Sequence, residues 1–89
     1  MSYQPRNKTE ERFLRVLGYL IRNMELSEMA RMTIISLCET DQQMEAFTDW
    51  VIKNAPDGKN IRYDEIDLMC VANDVHKGVP IRTLKADKQ

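Results

Sequence analysis

Hydrophobic residues early in the chain recur every three or four positions, which is the spacing of one face of an α-helix. When each residue is advanced by about 100°, the apolar positions of residues 13–24 fall within an arc of about 160°. Those positions are Phe13, Leu14, Val16, Leu17, Leu20, Ile21 and Met24. Asn7 followed by Glu10 has the arrangement of a capping box, with Thr9 as the competing cap. The pattern predicts a strongly amphipathic first helix that begins near residues 8–10.

The second predicted helix is apolar on almost every side. Ser27 with Glu28 behind it is typical of a helix start, and the segment then runs to about Cys38. Its apolar residues are Met29, Ala30, Met32, Ile34, Ile35, Leu37 and Cys38. A helix of this kind is buried on several sides or shared with another chain. The β-branched residues 33–35 leave a strand as the alternative.

A third helix is predicted over about residues 41–54. Thr40 and Gln43 form a second capping-box arrangement in front of it. Its inward-facing positions are Met44, Phe47, Val51 and, at their margin, Ile52. Trp50 lies at the edge of that face. The helix is expected to stop at residues 54–60, where Pro56 and the following Asp-Gly pair favour a turn.

The last predicted helix covers about residues 64–76 and ends at Gly78, with Pro80 just beyond. It has two apolar sides. One side carries Ile66, Met69 and Cys70, and the nearly opposite side carries Leu68, Val71 and Val75. Two apolar sides need two neighbours, so this helix either packs centrally or helps to form a dimer.

These elements predict an all-α fold, a compact bundle of about four short helices in a single domain spanning residues 1–89. Residues 1–7 and about 82–89 are expected to be flexible. The composition, 43% hydrophobic and 30% charged, is that of a folded domain. The apolar runs are too short for a membrane helix, and the N-terminal residues lack the apolar core of a secretion signal. We therefore expect a cytoplasmic location and no membrane partner.

Few residues offer catalytic or metal chemistry. His76 lies six residues after Cys70, an advance of roughly 240° around one helix, which argues against a Cys–His nucleophile pair. Cys38, Cys70 and His76 lack the paired spacing of structural zinc sites. Both thiols are predicted to be reduced and buried. The acidic cluster Asp64, Glu65 and Asp67 is more typical of a helix N-terminus than of an acid/base site. We expect no enzyme activity, no cofactor, no metal and no small-molecule substrate.

A basic stripe is the main candidate for function. It consists of Lys8, Arg12, Arg15, Tyr19 and Arg22, which lie within roughly 80° of one another, opposite the apolar face of the first helix. Arginines and an aromatic residue can bind phosphates and stack on bases, whereas the alternatives are a solvated face or a protein contact. The net charge of −1 argues against nucleic acid. An acidic row also exists in the same chain: Glu39, Asp41, Glu45 and Asp49.

That acidic row lies on or beside the third helix, which would be the recognition helix of a helix-turn-helix motif. An acidic helix is repelled by phosphates, so this motif is disfavoured. Trp50 and the methionines offer a second candidate contact surface. The sequence therefore predicts a small non-enzymatic helical protein that acts by protein–protein interaction, as a regulator or adaptor. Its expected partner is another protein or a second copy in a homodimer, and the alternative is a nucleic-acid-binding regulator that uses the stripe.

Overall fold

The computed structural model describes residues 4–54 and 64–81 of the 89-residue chain. The predicted all-α fold is confirmed, and the described residues form helices and no strand. The helices are α1 (Lys8–Met24), α2 (Glu28–Leu37), α3 (Asp41–Asn54) and α4 (Glu65–Lys77). The strand alternative for residues 33–35 is wrong. Each helix is within about two residues of its predicted bounds, because local capping signals mark the helix ends.

The first helix begins where its predicted cap places it. The Asn7 side chain accepts a hydrogen bond of 2.9 Å from the backbone N–H of Glu10, so Asn7 rather than Thr9 is the cap. The Arg6 backbone N–H donates to Glu10 Oε1 at 2.7 Å. At the other end Glu25 adopts a left-handed conformation, which ends the helix and turns the chain towards α2.

The starts of α2 and α3 are also capped by the predicted side chains. Ser27 Oγ accepts from the Ala30 N–H at 3.1 Å. Thr40 and Gln43 bond each other reciprocally: the Gln43 N–H donates to Thr40 Oγ1 at 3.1 Å and the Thr40 N–H donates to Gln43 Oε1 at 3.0 Å. This capping box satisfies two backbone donors that a helix start otherwise leaves unpaired.

The fourth helix has matched signals at both ends. Asp64 and Asp67 form a capping box at its start, so these acids are structural at the helix N-terminus, as predicted. At its end Gly78 has a φ of 75°, and its N–H donates to the carbonyls of Asp74 and Val75. Glycine is favoured there because a left-handed conformation costs other residues free energy.

Side-chain contacts between the helices define their relative directions. Asn7 bonds Asp41 near the starts of α1 and α3, and Arg12 contacts Asp49 further along both helices, so these helices run parallel. Gln43 Nε2 near the start of α3 donates to the His76 carbonyl near the end of α4, so the start of α3 lies beside the end of α4.

The second and fourth helices also run parallel to each other. Ser27 bonds Glu65 where both helices start, and the Leu37 carbonyl contacts His76 where both end. Close packing joins α1 to α3, α3 to α4 and α4 to α2, so the spatial order is α1, α3, α4, α2. Although α1 and α2 are consecutive, they are not packed closely along their lengths, and a cleft lies between the first part of α1 and the end of α2.

One hydrophobic core lies between the helices. Its buried residues include Phe13, Leu17, Leu20, Ala30, Ile34, Met44, Phe47, Val51, Leu68, Val71, Ala72 and Val75. The rings of Phe13 and Phe47 meet edge to face, with centroids 5.8 Å apart and planes 72° apart. The predicted inward positions of α3 are therefore confirmed for Met44, Phe47 and Val51, which lie in the core. Ile52 is 43% exposed, so its predicted inward position is wrong; it lies about 100° around the helix from Val51.

Two further predictions about burial need correction. Cys38 is buried as predicted, but Cys70 is only partly buried, because it lies on the outer side of α4. Ile66 is 62% exposed, so the second apolar side of α4 is only partly covered. Thr48, whose burial the pattern did not predict, is 1% exposed.

Some predictions concern residues outside the described parts of the chain. The turn expected at residues 54–60 and the flexibility expected of residues 82–89 lie almost entirely there. Residues 4–7 are described, and Arg6 and Asn7 of that segment make the hydrogen bonds given above. Within the described residues, no helix combines the length and apolar character that crossing a bilayer requires.

Candidate functional site

The predicted basic stripe lies along one side of α1. Lys8, Arg12, Arg15 and Arg22 are exposed, while Tyr19 is half-buried and packs against the core. Tyr19 therefore presents less of its ring to a partner than the sequence suggested. The four cations remain accessible on a common face, and their use by a partner stays a prediction.

Two of the stripe's cations are engaged within the chain. Arg12 Nη2 lies 3.5 Å from Asp49 Oδ1 on α3, and Arg15 Nη2 lies 3.2 Å from Glu11 Oε2 one turn earlier on α1. The side chains in both pairs are between 47% and 73% exposed, so each pair contributes about 0–1 kcal/mol to stability. The pairs nevertheless offset part of the positive field that would attract a polyanion.

The acidic row meets α1 at a second point. Asp41 accepts from Asn7 Nδ2 at 2.9 Å, and its other oxygen lies 3.6 Å from Arg6 Nη2. Together with the Arg12–Asp49 pair, this contact makes the acidic side of α3 a neighbour of the basic side of α1 inside one protomer. Part of the charge polarity in the sequence therefore serves the packing of α1 against α3.

Trp50, the remaining candidate residue, is half-buried at the edge of α3, as predicted. Its side chain packs against the core, and its carbonyl accepts from Asn54 Nδ2 at 2.8 Å. The indole thus has a structural role in covering the core. A contact between Trp50 and a partner stays a prediction.

Three of the six large hydrophobic residues that are exposed in the described parts of the chain lie on α2. Met29, Met32 and Ile35 are 72%, 60% and 43% exposed, and we call these three residues the α2 row. They are spaced three residues apart and fall within about 120° on the side of the helix opposite the buried Ala30 and Ile34. Their exposure explains the all-round apolar pattern of this segment: one side serves the core and the other faces outward.

A cleft opens beside the α2 row, between the first part of α1 and the end of α2. It encloses about 760 Å³, and we call it the α1–α2 cleft. Its apolar lining consists of Phe13, Leu14, Ile35, Cys38 and Met44. Its polar lining consists of Arg6, Glu10 and Glu39. Ile35 belongs to both features, so the row and the cleft adjoin at this residue.

Two of the polar residues that line the cleft bind each other. Glu10 is largely buried, and its Oε1 lies 3.3 Å from Arg6 Nε in addition to accepting a hydrogen bond from the Arg6 backbone N–H.

Burial raises the pKa of the Cys38 thiol from 9.0 to about 12, because the thiolate would lose its hydration there. Cys38 is therefore protonated at neutral pH and a poor nucleophile.

His76 has a structural contact that the sequence did not suggest. Its Nδ1 lies 3.1 Å from the Leu37 carbonyl at the end of α2. Since a carbonyl only accepts, Nδ1 carries the proton in this contact, and the imidazole satisfies one of the unpaired carbonyls at that helix end. In the described parts of the chain, no three His, Cys, Asp or Glu side chains are grouped to hold a metal ion.

The sequence contained a signal for the α2 row but not for the cleft. The nearly all-round apolar pattern of residues 29–38 predicted either burial on several sides or contact with another chain. The exposed row shows that this helix is not buried on every side, and contact with another chain stays a prediction. The cleft depends on the gap between α1 and α2, which no local pattern encodes.

No protein-family model, curated protein or solved structure matches this chain. Function is therefore inferred from the chemistry of its own surfaces, since a helical bundle by itself implies no activity.

Proposed function

We propose that this chain is a small non-enzymatic cytoplasmic protein that acts by binding a protein partner, as a regulator or adaptor. Its binding surface comprises the α2 row and the adjoining α1–α2 cleft. The observation that carries the proposal is the exposure of Met29, Met32 and Ile35 side by side on one helix. Large apolar side chains grouped on a surface are characteristic of interaction sites.

The free energy available from the α2 row supplies part of what a specific contact needs. Burying a Met or Ile side chain completely is worth about 1.5–3 kcal/mol. Scaled by the exposed fractions of the three residues, the row offers roughly 3–5 kcal/mol before the costs of association. This gain suits a reversible interaction that is completed by neighbouring contacts.

The α1–α2 cleft supplies the neighbouring contacts. Its volume of about 760 Å³ can admit one or two large side chains of a partner. Phe13 and Met44 provide an apolar floor, and the Arg6–Glu10 pair at the polar side can orient a hydrogen-bonding group. An apolar anchor surrounded by polar groups is the usual organisation of a binding hot spot.

The surroundings of Cys38 and His76, the two side chains best suited to catalysis, support a non-catalytic role. The Cys38 thiol is buried with a raised pKa, and His76 is directed to a backbone carbonyl. Each contributes to packing or to helix termination in its observed position. Neither arrangement pairs a nucleophile with a base.

Two isoleucines of equal exposure provide a matched test. Ile35 lies in the row and Ile52 lies on α3, and both are 43% exposed. We expect Ile35→Glu to abolish co-purification of the partner from source cells and Ile52→Glu to retain it. Circular dichroism must show that both variants are folded. Equal capture by the two variants would contradict the proposal.

A second candidate function is nucleic-acid binding by the basic stripe. It is favoured by the exposure of Lys8, Arg15 and Arg22 at seven-residue intervals along α1. Fluorescence anisotropy with DNA and RNA at low salt should then detect binding that weakens with added salt and on Arg15→Ala or Arg22→Ala. Lys53→Ala, a change to a cation on α3, is the control. Absence of binding at low salt would exclude nucleic-acid binding by the basic stripe.

A further inference from the structure

We infer that the α2 row is a self-association site, at which the α2 rows of two copies of this chain pack against each other around a two-fold axis at Met32. The inference rests on the proposed function and deepens it, because it identifies the protein partner as a second copy.

The spacing of the row is self-complementary. Met29 and Ile35 lie three residues before and three residues after Met32. A two-fold axis that passes Met32 perpendicular to α2 therefore places Met29 of one copy against Ile35 of the other, and Met32 against its own counterpart. Every apolar side chain in the row meets an apolar side chain, which is the requirement for a symmetric interface. Because residues three apart form a ridge inclined to the helix axis, the two helices cross each other rather than lie side by side.

The charges near the row do not oppose a second copy. Glu28 and Arg31, the charged residues of α2, lie 4.0 Å apart in an ion pair within their own helix. Two copies therefore bring together an uncharged row flanked by internally paired charges. The whole chain has a net charge of only −1, so the approach of a second copy meets little long-range repulsion.

The area of the row sets the expected strength of the dimer. The three side chains expose roughly 300 Å² of apolar surface, comparable to the largest patch on a typical monomer. With the adjoining rim, two copies would bury on the order of 1,000 Å² in total, which is at the lower end of specific interfaces. We therefore expect a weak, reversible dimer and not an obligate one.

Sedimentation velocity on the purified chain tests the dimer directly. The sedimenting mass should rise with protein concentration from the 10.4 kDa monomer towards twice that value. Met32→Glu should weaken association by at least about tenfold, because it places two carboxylates at the axis. Ile52→Glu and Arg15→Ala should leave the dissociation constant unchanged. A dimer insensitive to Met32→Glu, or one lost on Arg15→Ala, would overturn the assignment.

Cross-linking tests the position of the axis. A residue on a two-fold axis lies next to its own counterpart, so Met32→Cys should form an inter-chain disulfide with oxidised glutathione. Ile52→Cys is the control, and both changes are made together with Cys70→Ala to remove the half-buried thiol. The Met32→Cys chain should cross-link at least about tenfold faster, and equal rates would overturn the inference.

The outcomes separate this inference from the proposed function. A purified chain that stays monomeric, but captures a cellular protein in an Ile35-dependent manner, overturns the dimer and retains the proposed function. A chain that shows neither dimerisation nor Ile35-dependent capture overturns both.

Discussion

Thr48 offers a sharp test of the packing between the helices. Its side chain is 1% exposed, and no hydrogen-bond partner for Oγ1 occurs within the part of the chain that the structure describes. A buried hydroxyl without a partner loses its hydrogen bonds to water on folding, which costs about 1–3 kcal/mol. Replacing that hydroxyl by a methyl group removes the cost while keeping the β-branched shape.

The expected effect of Thr48→Val follows from three contributions. Removal of the unsatisfied hydroxyl raises the free energy of unfolding by about 1–3 kcal/mol. Helix propensity changes little, because Thr and Val have similar values. The added methyl is slightly larger than the hydroxyl, and tight packing can cost about 1 kcal/mol or more. The net expectation is a gain of about 1 kcal/mol, which corresponds to a rise in Tm of about 4–8 °C for a domain of this size.

Urea unfolding followed by circular dichroism measures this gain. Thr33→Val is the matched control, because the Thr33 hydroxyl on α2 donates to the Met29 carbonyl at 2.8 Å. The control should change stability by no more than about 0.5 kcal/mol. Thr48→Ser, which keeps the hydroxyl and deletes a buried methyl, should destabilise by about 1 kcal/mol. The reasoning is refuted if Thr48→Val is less stable than the wild type while Thr33→Val is neutral.

Three further predictions concern pH, backbone conformation and the core. The pKa of Cys38 is 9.0 when unperturbed and about 12 in the fold, so the unfolded chain loses this proton first as pH rises. Stability should therefore decline above pH 9, by about 1 kcal/mol between pH 8 and 10, relative to the same pH series for Cys38→Ala in urea unfolding. Gly78→Ala should lower Tm because it forces a φ of 75° on alanine at a cost of about 1 kcal/mol, whereas Gly18→Ala should raise Tm. A methyl at Gly18 has Arg22 Nη1 as its nearest neighbour at 3.8 Å, an ordinary contact, so a fall in Tm there would contradict the helix geometry. Phe47→Ala should cost about 3–5 kcal/mol and largely unfold the chain, and calorimetry showing a native-like transition would exclude Phe47 from the centre of the core.

The helix ends show how much the sequence specifies locally. The caps at Asn7, Ser27 and Thr40 can be predicted from the sequence because a side-chain oxygen and the backbone N–H that it bonds lie only three residues apart. Gly78 can be predicted as a helix end for a similarly local reason, because glycine is favoured in the left-handed conformation that ends a helix. These signals survive in the fold because no distant residue is needed to complete them.

The candidate site was only partly predictable. The basic stripe was correctly placed on one side of α1, but the ion pair of Arg12 with Asp49 depends on a residue 37 positions away. The row on α2 was present in the sequence as an excess of apolar positions. Which of those positions would be exposed depended on where α4 packs.

The amino-acid sequence alone determined four helices and the positions of each that are apolar, because hydrophobic spacing and capping act over a few residues. The tertiary structure decided the spatial order α1, α3, α4, α2 and the gap between α1 and α2. When the apolar arc of a helix is wider than one neighbouring helix can cover, the sequence does not specify which part of that arc will be buried. That choice is made by the packing of distant helices, and it left Met29, Met32 and Ile35 exposed at the surface.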